Sequence, residues 1–247
     1  MAAAMARGWA GAEDAPDAMA FADAGSGRAA ELAKEVGGEA VTGVRELAER
    51  SDVIVLAFKR TALDEVASQL SGDLPPLISV LAGVPQATVQ ARFPDTRVLR
   101  AMPNLAVEVR KGVICYVPAG TGLQDELEQT ITGLLGYLGM LCPVDDELVD
   151  AATAIMSSSP AYLALISQAL VDAAGRHGID SALARSLVTA TMSGTAELLR
   201  ERQADWVRAG VASPGGATEA GLDALERREL GKALQEAVDA SLDRMRP

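Results

Sequence analysis

Short apolar runs rich in β-branched residues alternate with amphipathic stretches through the first half of the chain, and the alternation stops near residue 145. AMAFAD (18–23), EAV, DVIVLAF (52–58), LISVLAG, TRVLRAMP and VICYVP read as strands. DVIVLAF is a continuous apolar run of the kind a strand buried on both faces requires. Between these runs, GRAAELAKEVG, GVRELAERS, TALDEVASQL and QATVQARF carry helical spacing, the first stopping at Gly37 and Gly38. Strand–helix alternation implies right-handed crossovers and a mainly parallel, doubly wound α/β sheet, a Rossmann-like domain over residues 1–144. A nucleotide site is expected at the carboxyl edge of such a sheet.

Residues 145–247 read as an all-α domain. DELVDAATAIMSSSPAYLALISQALVDAAGRHG is one long helical pattern with Gly178 as its stop, and His177, the single histidine, reads as a helix-end or solvent-facing residue. SALARSLVTATMSGTAELLRER follows, with Ala190, Ser193, Gly194 and Ala196 permitting close helix approach; GLDALERREL and GKALQEAVDASLDRM complete the set. Helices this rich in Ala and Leu are expected to bury surface against a second copy, as a homodimer or higher homo-oligomer.

With 49% apolar and 23% charged residues the composition is that of a globular protein, and the net charge of −12, with no separate basic patch, disfavours nucleic acid. Cys115 and Cys142 lack neighbours at ligand spacing and read as buried thiols in a reducing compartment rather than a metal site. The opening MAAAMARGW has no secretion signal, and apolar runs such as VIVLAF fall short of the about 20 residues a membrane span needs. The expectation is a cytoplasmic protein with no membrane segment.

Three stretches break the pattern with residue types that packing does not explain. RAMPNLAVEVRKG (100–112) ends a strand at Pro103 and offers the Asn104 amide, which both donates and accepts, although MPN alone is also an ordinary turn. MSSSPAY (156–162) sets three hydroxyls before a proline inside a helical run, so a kink or restart is expected there. VASPGGATEAGL (211–222) is either a plain connector or a carboxylate-binding device. In the second reading Gly215 and Gly216 let backbone N–H groups converge beside the hydroxyls of Ser213 and Thr218 at a helix start.

Taken in order, DVIVLAFK, RAMPNLAVEVRKG, MSSSPAY and VASPGGATEAGL make the chain resemble the pyrroline-5-carboxylate reductase family over essentially its whole length. That resemblance implies a dinucleotide-binding domain followed by a helical dimerisation and substrate domain. It further implies hydride transfer from NADPH or NADH to the C=N carbon of a cyclic imine carboxylate, in proline biosynthesis. By the same resemblance Ala57, Lys59, Ala82 and Gly83 would flank the cofactor, with Asn104 by its nicotinamide side. Ser213, Gly215, Gly216 and Thr218 would hold the substrate carboxylate, and Thr153, Ser157 and Ser158 would line the pocket. No side chain is assigned as acid or base, because the imine nitrogen can arrive protonated and catalysis is then mainly positioning. Asp146 or Glu147 would either favour the iminium or serve as first-turn helix acids.

Departures from the family pattern accompany the likeness. MAAAMARGW matches the middle of the family's first helix or the end of the turn before it, so the first strand and its GxGxMG-type turn are expected to be missing; Met1 reads either as an internal methionine of a longer protein or as the start of a shortened one, and strands beside the missing one should be left with unpaired backbone. In ADAGSGR, Asp23 would accept a ribose 2′-OH and lean toward NAD, whereas Ser26 and Arg28 could serve NADP. Ser157 and Ser159 stand in a segment that contains glycine in the family, and Ala209 replaces a frequent acidic residue. Two alternatives stay open: a dimeric homologue that no longer binds cofactor, and a related imine or 3-hydroxy acid reductase. The 3-hydroxy acid reading is disfavoured by the absence of lysine from residues 146–176.

Overall fold

The computed structural model describes residues 1–13, 16–70, 72–118 and 126–245. They form two compact units, Met1–Ser158 with Ser241–Pro247, and Ser159–Ala240. The first unit runs α1 (Ala2–Ala10), β1 (Ala20–Phe21), α2 (Arg28–Val36), β2 (Glu39–Ala40), α3 (Val44–Glu49), β3 (Ile54–Leu56), α4 (Leu63–Gln69), β4 (Leu77–Ser79), α5 (Gln86–Arg92) and β5 (Val98–Pro103). It continues through β6 (Gly112–Tyr116), α6 (Glu126–Gly136), β7 (Gly139–Pro143) and α7 (Val149–Met156), with 3₁₀ turns at Arg60–Ala62, Leu105–Val109 and Asp146–Leu148.

Five strands hydrogen-bond in the order β3-β4-β5-β6-β7, parallel except for the antiparallel pair β5-β6. The mainly parallel α/β fold expected from the sequence is therefore present. Side-chain alternation gives the sheet two cores. Ile54, Leu56, Leu77, Leu81 and Val98 pack with Val89 and Phe93 on one side. Ile78, Val80, Leu99, Ala101 and Ile114 pack with Met5, Trp9, Leu135 and Leu138 on the other. Helix α1 reaches that second core because Gly8 has no Cβ to strike the Val107 carbonyl, and the Trp9 indole N–H donates to the Leu134 carbonyl at 2.8 Å.

Strands β1 and β2 make a separate parallel pair. Among the described residues β1 pairs with β2 alone and β3 with β4 alone, so each keeps one edge without a strand partner. Met19, Val53, Val55 and Ala57, beside those edges, pack on the second core yet stay only partly buried.

The second unit comprises α8 (Ser159–Arg176), α9 (Ser181–Glu201), α10 (Ala204–Val211), α11 (Ala217–Glu226) and most of α12 (Leu230–Met245). Gly178, at φ +84°, ends α8 as expected, with the Ile179 N–H donating to the Ala174 carbonyl in the wrap typical of a glycine stop. Asp180 caps α9 by accepting from the N–H groups of Ala182 and Leu183. The Tyr162 hydroxyl donates to the Ala237 carbonyl at 3.1 Å, joining α8 to α12.

The long helical pattern after residue 145 breaks where the proline demanded it. Helix α7 ends at Met156 and α8 restarts at Ser159, placing Pro160 in a first turn where its missing N–H costs nothing. This break qualifies one expectation: Asp146–Arg176 taken together has the length and composition of a membrane-crossing helix, although its uninterrupted helical pieces are shorter. The β signal ends at Pro143, next to the expected division at 144/145, whereas the compact units part at Ser158. The reason is α7, which is bound to the sheet by Arg100.

Candidate active site

Parallel strands that lie side by side bring their carboxyl ends to one edge. Leu56 pairs with Ser79 and Ser79 with Arg100 across β3, β4 and β5. Ala57 and Lys59 follow β3, Ala82 and Gly83 follow β4, and Asn104 follows β5, so the fold brings five of the seven expected cofactor residues to a single edge. Lys59 and Ala82 are exposed there, and Gly83 takes φ +67°.

Asp23 and Ser26 lie beyond the carboxyl end of β1, where the Asp23 carboxylate does something the sequence did not suggest. Its Oδ1 accepts from the N–H groups of Gly25 (2.8 Å) and Ser26 (3.0 Å), and its Oδ2 from the Ser26 hydroxyl (2.8 Å) and the Ala29 N–H (2.9 Å). Four donors fill the acceptor positions of one carboxylate. Led by the Ala29 N–H and the Ser26 hydroxyl, these bonds hold its pKa down at about 2. Asp23 thus fastens the start of α2, and its lone pairs are committed within its own loop.

Behind the edge, Arg100 is the largest fully buried side chain, 1% exposed on β5. Its guanidinium donates to Asp146 Oδ1 at 2.7 Å and Asp150 Oδ1 at 2.6 Å, while Asp146 Oδ2 accepts the Gln86 N–H at 3.1 Å. Asp146 is therefore spent on binding the 3₁₀ turn before α7 to the sheet and to the start of α5, which removes it as a group to favour an iminium; Glu147 is exposed. In and beside this network Ser79 Oγ and Arg100 Nε are buried without a hydrogen-bond partner among the described residues. Of its members the sequence pointed to Asp146 alone, as either an iminium-favouring or a helix-start acid, although the acids at 146 and 150, one helical turn apart, were a signal that could have found the network.

Helix α7 carries the expected pocket hydroxyls of the first unit. Thr153 is buried and its Oγ1 donates back to the Val149 carbonyl at 2.6 Å, so the hydroxyl serves its own helix. Ser157 Oγ donates to the Pro103 carbonyl at 3.4 Å, and Ser158 Oγ lies 2.9 Å from Ser241 Oγ. Asn104 joins the same region: its Nδ2 donates to the Met156 carbonyl at 3.1 Å and its Oδ1 accepts the Val113 N–H at 3.2 Å. The structure thus brings Asn104, Ser157 and Ser158 together at the end of α7, with the Asn104 amide acting to fix that end against β5 and β6.

The glycine loop belongs to the second unit, between α10 and α11. Gly215 takes φ +71°, and at Gly216 a Cβ would meet Ser213 Oγ at 2.5 Å, so each glycine is needed for a different reason. The Gly216 N–H donates to the Ser213 carbonyl at 2.9 Å, and the Gly215 N–H to the carboxylate of Glu219 at 2.7 Å. A carboxylate from the chain itself therefore already sits on the loop, whose Ser213 and Thr218 side chains are exposed.

Residues 146–247 match the family model described as pyrroline-5-carboxylate reductase dimerisation, and residues 1–83 match one described as NADP oxidoreductase, coenzyme F420-dependent. The chain is 36% identical over 204 residues to the pyrroline-5-carboxylate reductase of Synechocystis, covering 81% of this chain and 76% of that one. It belongs to the pyrroline-5-carboxylate reductase family. The Thermus thermophilus relative is 34% identical, covering 82% of this chain and 79% of its own. Among solved structures, the Streptococcus pyogenes 1-pyrroline-5-carboxylate reductase superposes with a TM-score of 0.88 at 27% identity over 99% of this chain and 94% of that one. The Plasmodium falciparum pyrroline carboxylate reductase, solved with NADP bound, shares the fold at a TM-score of 0.85 and 24% identity, over 98% of this chain and 92% of that one.

Proposed function

We propose that this chain is a pyrroline-5-carboxylate reductase that uses NADPH or NADH to convert 1-pyrroline-5-carboxylate into L-proline. The observation that carries the proposal is identity above 30% across most of the chain to reductases of that name. Bound reduced nicotinamide would supply a hydride to the C=N carbon. Ala57, Lys59, Ala82 and Gly83 on the carboxyl edge would hold that cofactor, with Asn104 fixing the end of the hydroxyl-bearing helix beside it. Asp23 is fully hydrogen-bonded within its own loop, which weakens the reason for an NADH preference, and the match of residues 1–83 to an NADP oxidoreductase family puts NADPH first.

On the substrate side, Ser157 and Ser158 would line the pocket, and Ser213, Gly215, Gly216 and Thr218 would take the carboxylate, which is the chemistry Glu219 performs on that loop in the free chain. No group on the chain needs to donate a proton if the imine binds protonated, so the residues act by orientation. Exposed Leu163, Leu165, Leu170, Leu183 and Leu187 in the second unit support assembly with a second copy, and the same burial accounts for the apolar stretch through α8 without a membrane. A cytoplasmic location fits this activity. The test is amino-acid analysis of a reaction with pyrroline-5-carboxylate and NADPH: one proline per NADPH oxidised supports the proposal, and NADPH-independent substrate loss or no proline refutes it.

A further inference from the structure

Helix α12 is continuous to Met245, and its last turn, from Ser241 onward, belongs to the first unit. Two of its attachments there, at Ser241 and Met245, are one helical turn apart. At one, Ser241 Oγ lies 2.9 Å from Ser158 Oγ at the end of the α7 hydroxyl series. At the other, the Met245 carbonyl accepts from Arg60 Nη1 at 3.4 Å, the arrangement a helix carboxyl end favours with a cation. Gly83 makes room for it: a Cβ there would lie 2.8 Å from the Met245 carbonyl oxygen and 3.1 Å from Arg60 Nη1, and φ +67° already excludes most side chains. Arg60 follows β3 and Gly83 follows β4, so the second attachment is on the strand edge assigned above to the cofactor.

We infer that Ser241–Met245 is a strap that sets the distance between the cofactor edge and the hydroxyl end of α7, with Ser241 and Arg60 as positioning residues for hydride transfer. This rests on the reductase proposal for its meaning, though not for its geometry. Hydride transfer needs the reacting carbons about 3–3.5 Å apart, and a 1 Å displacement costs about 100-fold. The strap holds one side of that distance through the Ser241–Ser158 hydroxyl pair and the other through a carbonyl seated over a glycine.

The experiment compares Ser241→Ala, Ser241→Thr and Arg60→Ala in the full chain. Ser241→Ala should lower kcat about tenfold with the NADPH Kd changed less than twofold, and Ser241→Thr, which keeps the hydroxyl, should recover most of the loss. Equal kcat in Ser241→Ala and wild type, or a loss that Ser241→Thr does not recover, overturns the strap. Hydrogen exchange read on residues 80–85 and 157–160 separates this from failure of the reductase proposal. If wild type gives no proline, that proposal falls, while faster exchange of both segments in Ser241→Ala and Arg60→Ala still supports the strap and unchanged exchange overturns it.

Discussion

Removing the carboxylates around Arg100 should cost more than removing Arg100 itself. The guanidinium side chain is 1% exposed, whereas the side chains of Asp146 and Asp150 are 30% and 32% exposed. Arg100→Met deletes two charge-assisted hydrogen bonds to carboxylates, with a longer 3.3 Å bond to the Asp146 carbonyl, but leaves carboxylates that reach water, and Asp146 keeps the Gln86 N–H. Two such bonds at about 1.5–3 kcal/mol each, less the relieved burial of a cation, leave a net loss of about 1–2 kcal/mol. Asp146→Ala with Asp150→Ala instead strands a buried cation, the case that costs about 3–5 kcal/mol. Urea unfolding followed by Trp9 fluorescence, in a Trp206→Phe background, reads the first unit, because the Trp9 side chain is buried in its core. The two carboxylate substitutions should lower the midpoint at least twice as far as Arg100→Met; an equal or larger effect of Arg100→Met would show that the network is not organised around a buried cation.

Other outcomes follow from the same geometry. Gly215→Val should abolish proline binding measured by calorimetry while leaving the circular dichroism unchanged, since a Cβ there meets no atom and only φ +71° is violated; retained binding would remove the carboxylate role of the loop. Glu219→Ala frees the Gly215 N–H and should tighten proline binding about threefold, a modest gain for one uncovered donor, and weaker binding would mean that Glu219 supports the loop instead. The Asp23 carboxylate, with its pKa held near 2 in the fold against 3.8 ordinarily, contributes to the start of α2 at pH above about 4 and loses that contribution as pH falls through 2. Carboxyl NMR should find Asp23 titrating near 2, and a value near 3.8 would mean that its loop is open in solution.

Much of the fold was legible because apolar periodicity reports burial. DVIVLAF gave β3 from an unbroken apolar run, and GRAAELAKEVG gave α2 from its glycine stop. The strand GMLCP did not show itself: it is short, begins with Gly139 and ends with Pro143, and its Met140 is exposed. Helix α10 (ADWVRAGV) was too short for its period to register. The expected site residues fall on one strand edge, one helix end and one loop, but what many of their side chains do was hidden, since it depends on partners far away in sequence. Asn104 binds Met156, Ser158 meets Ser241, and Arg100 reaches Asp150. Asp23, Thr153 and Gly215, whose partners are within six residues, used contacts that lay beside them, and at Asp23 the bonds to the start of α2 competed with the expected ribose contact.

The most direct test of the whole account is to titrate the 247-residue chain with NADPH and NADH and then add 1-pyrroline-5-carboxylate to whichever complex forms. The account predicts saturable binding, NADPH at least as tight as NADH, and oxidation of the bound nucleotide on addition of the imine. Absence of nucleotide binding, or binding with no oxidation when the imine is added, would contradict it.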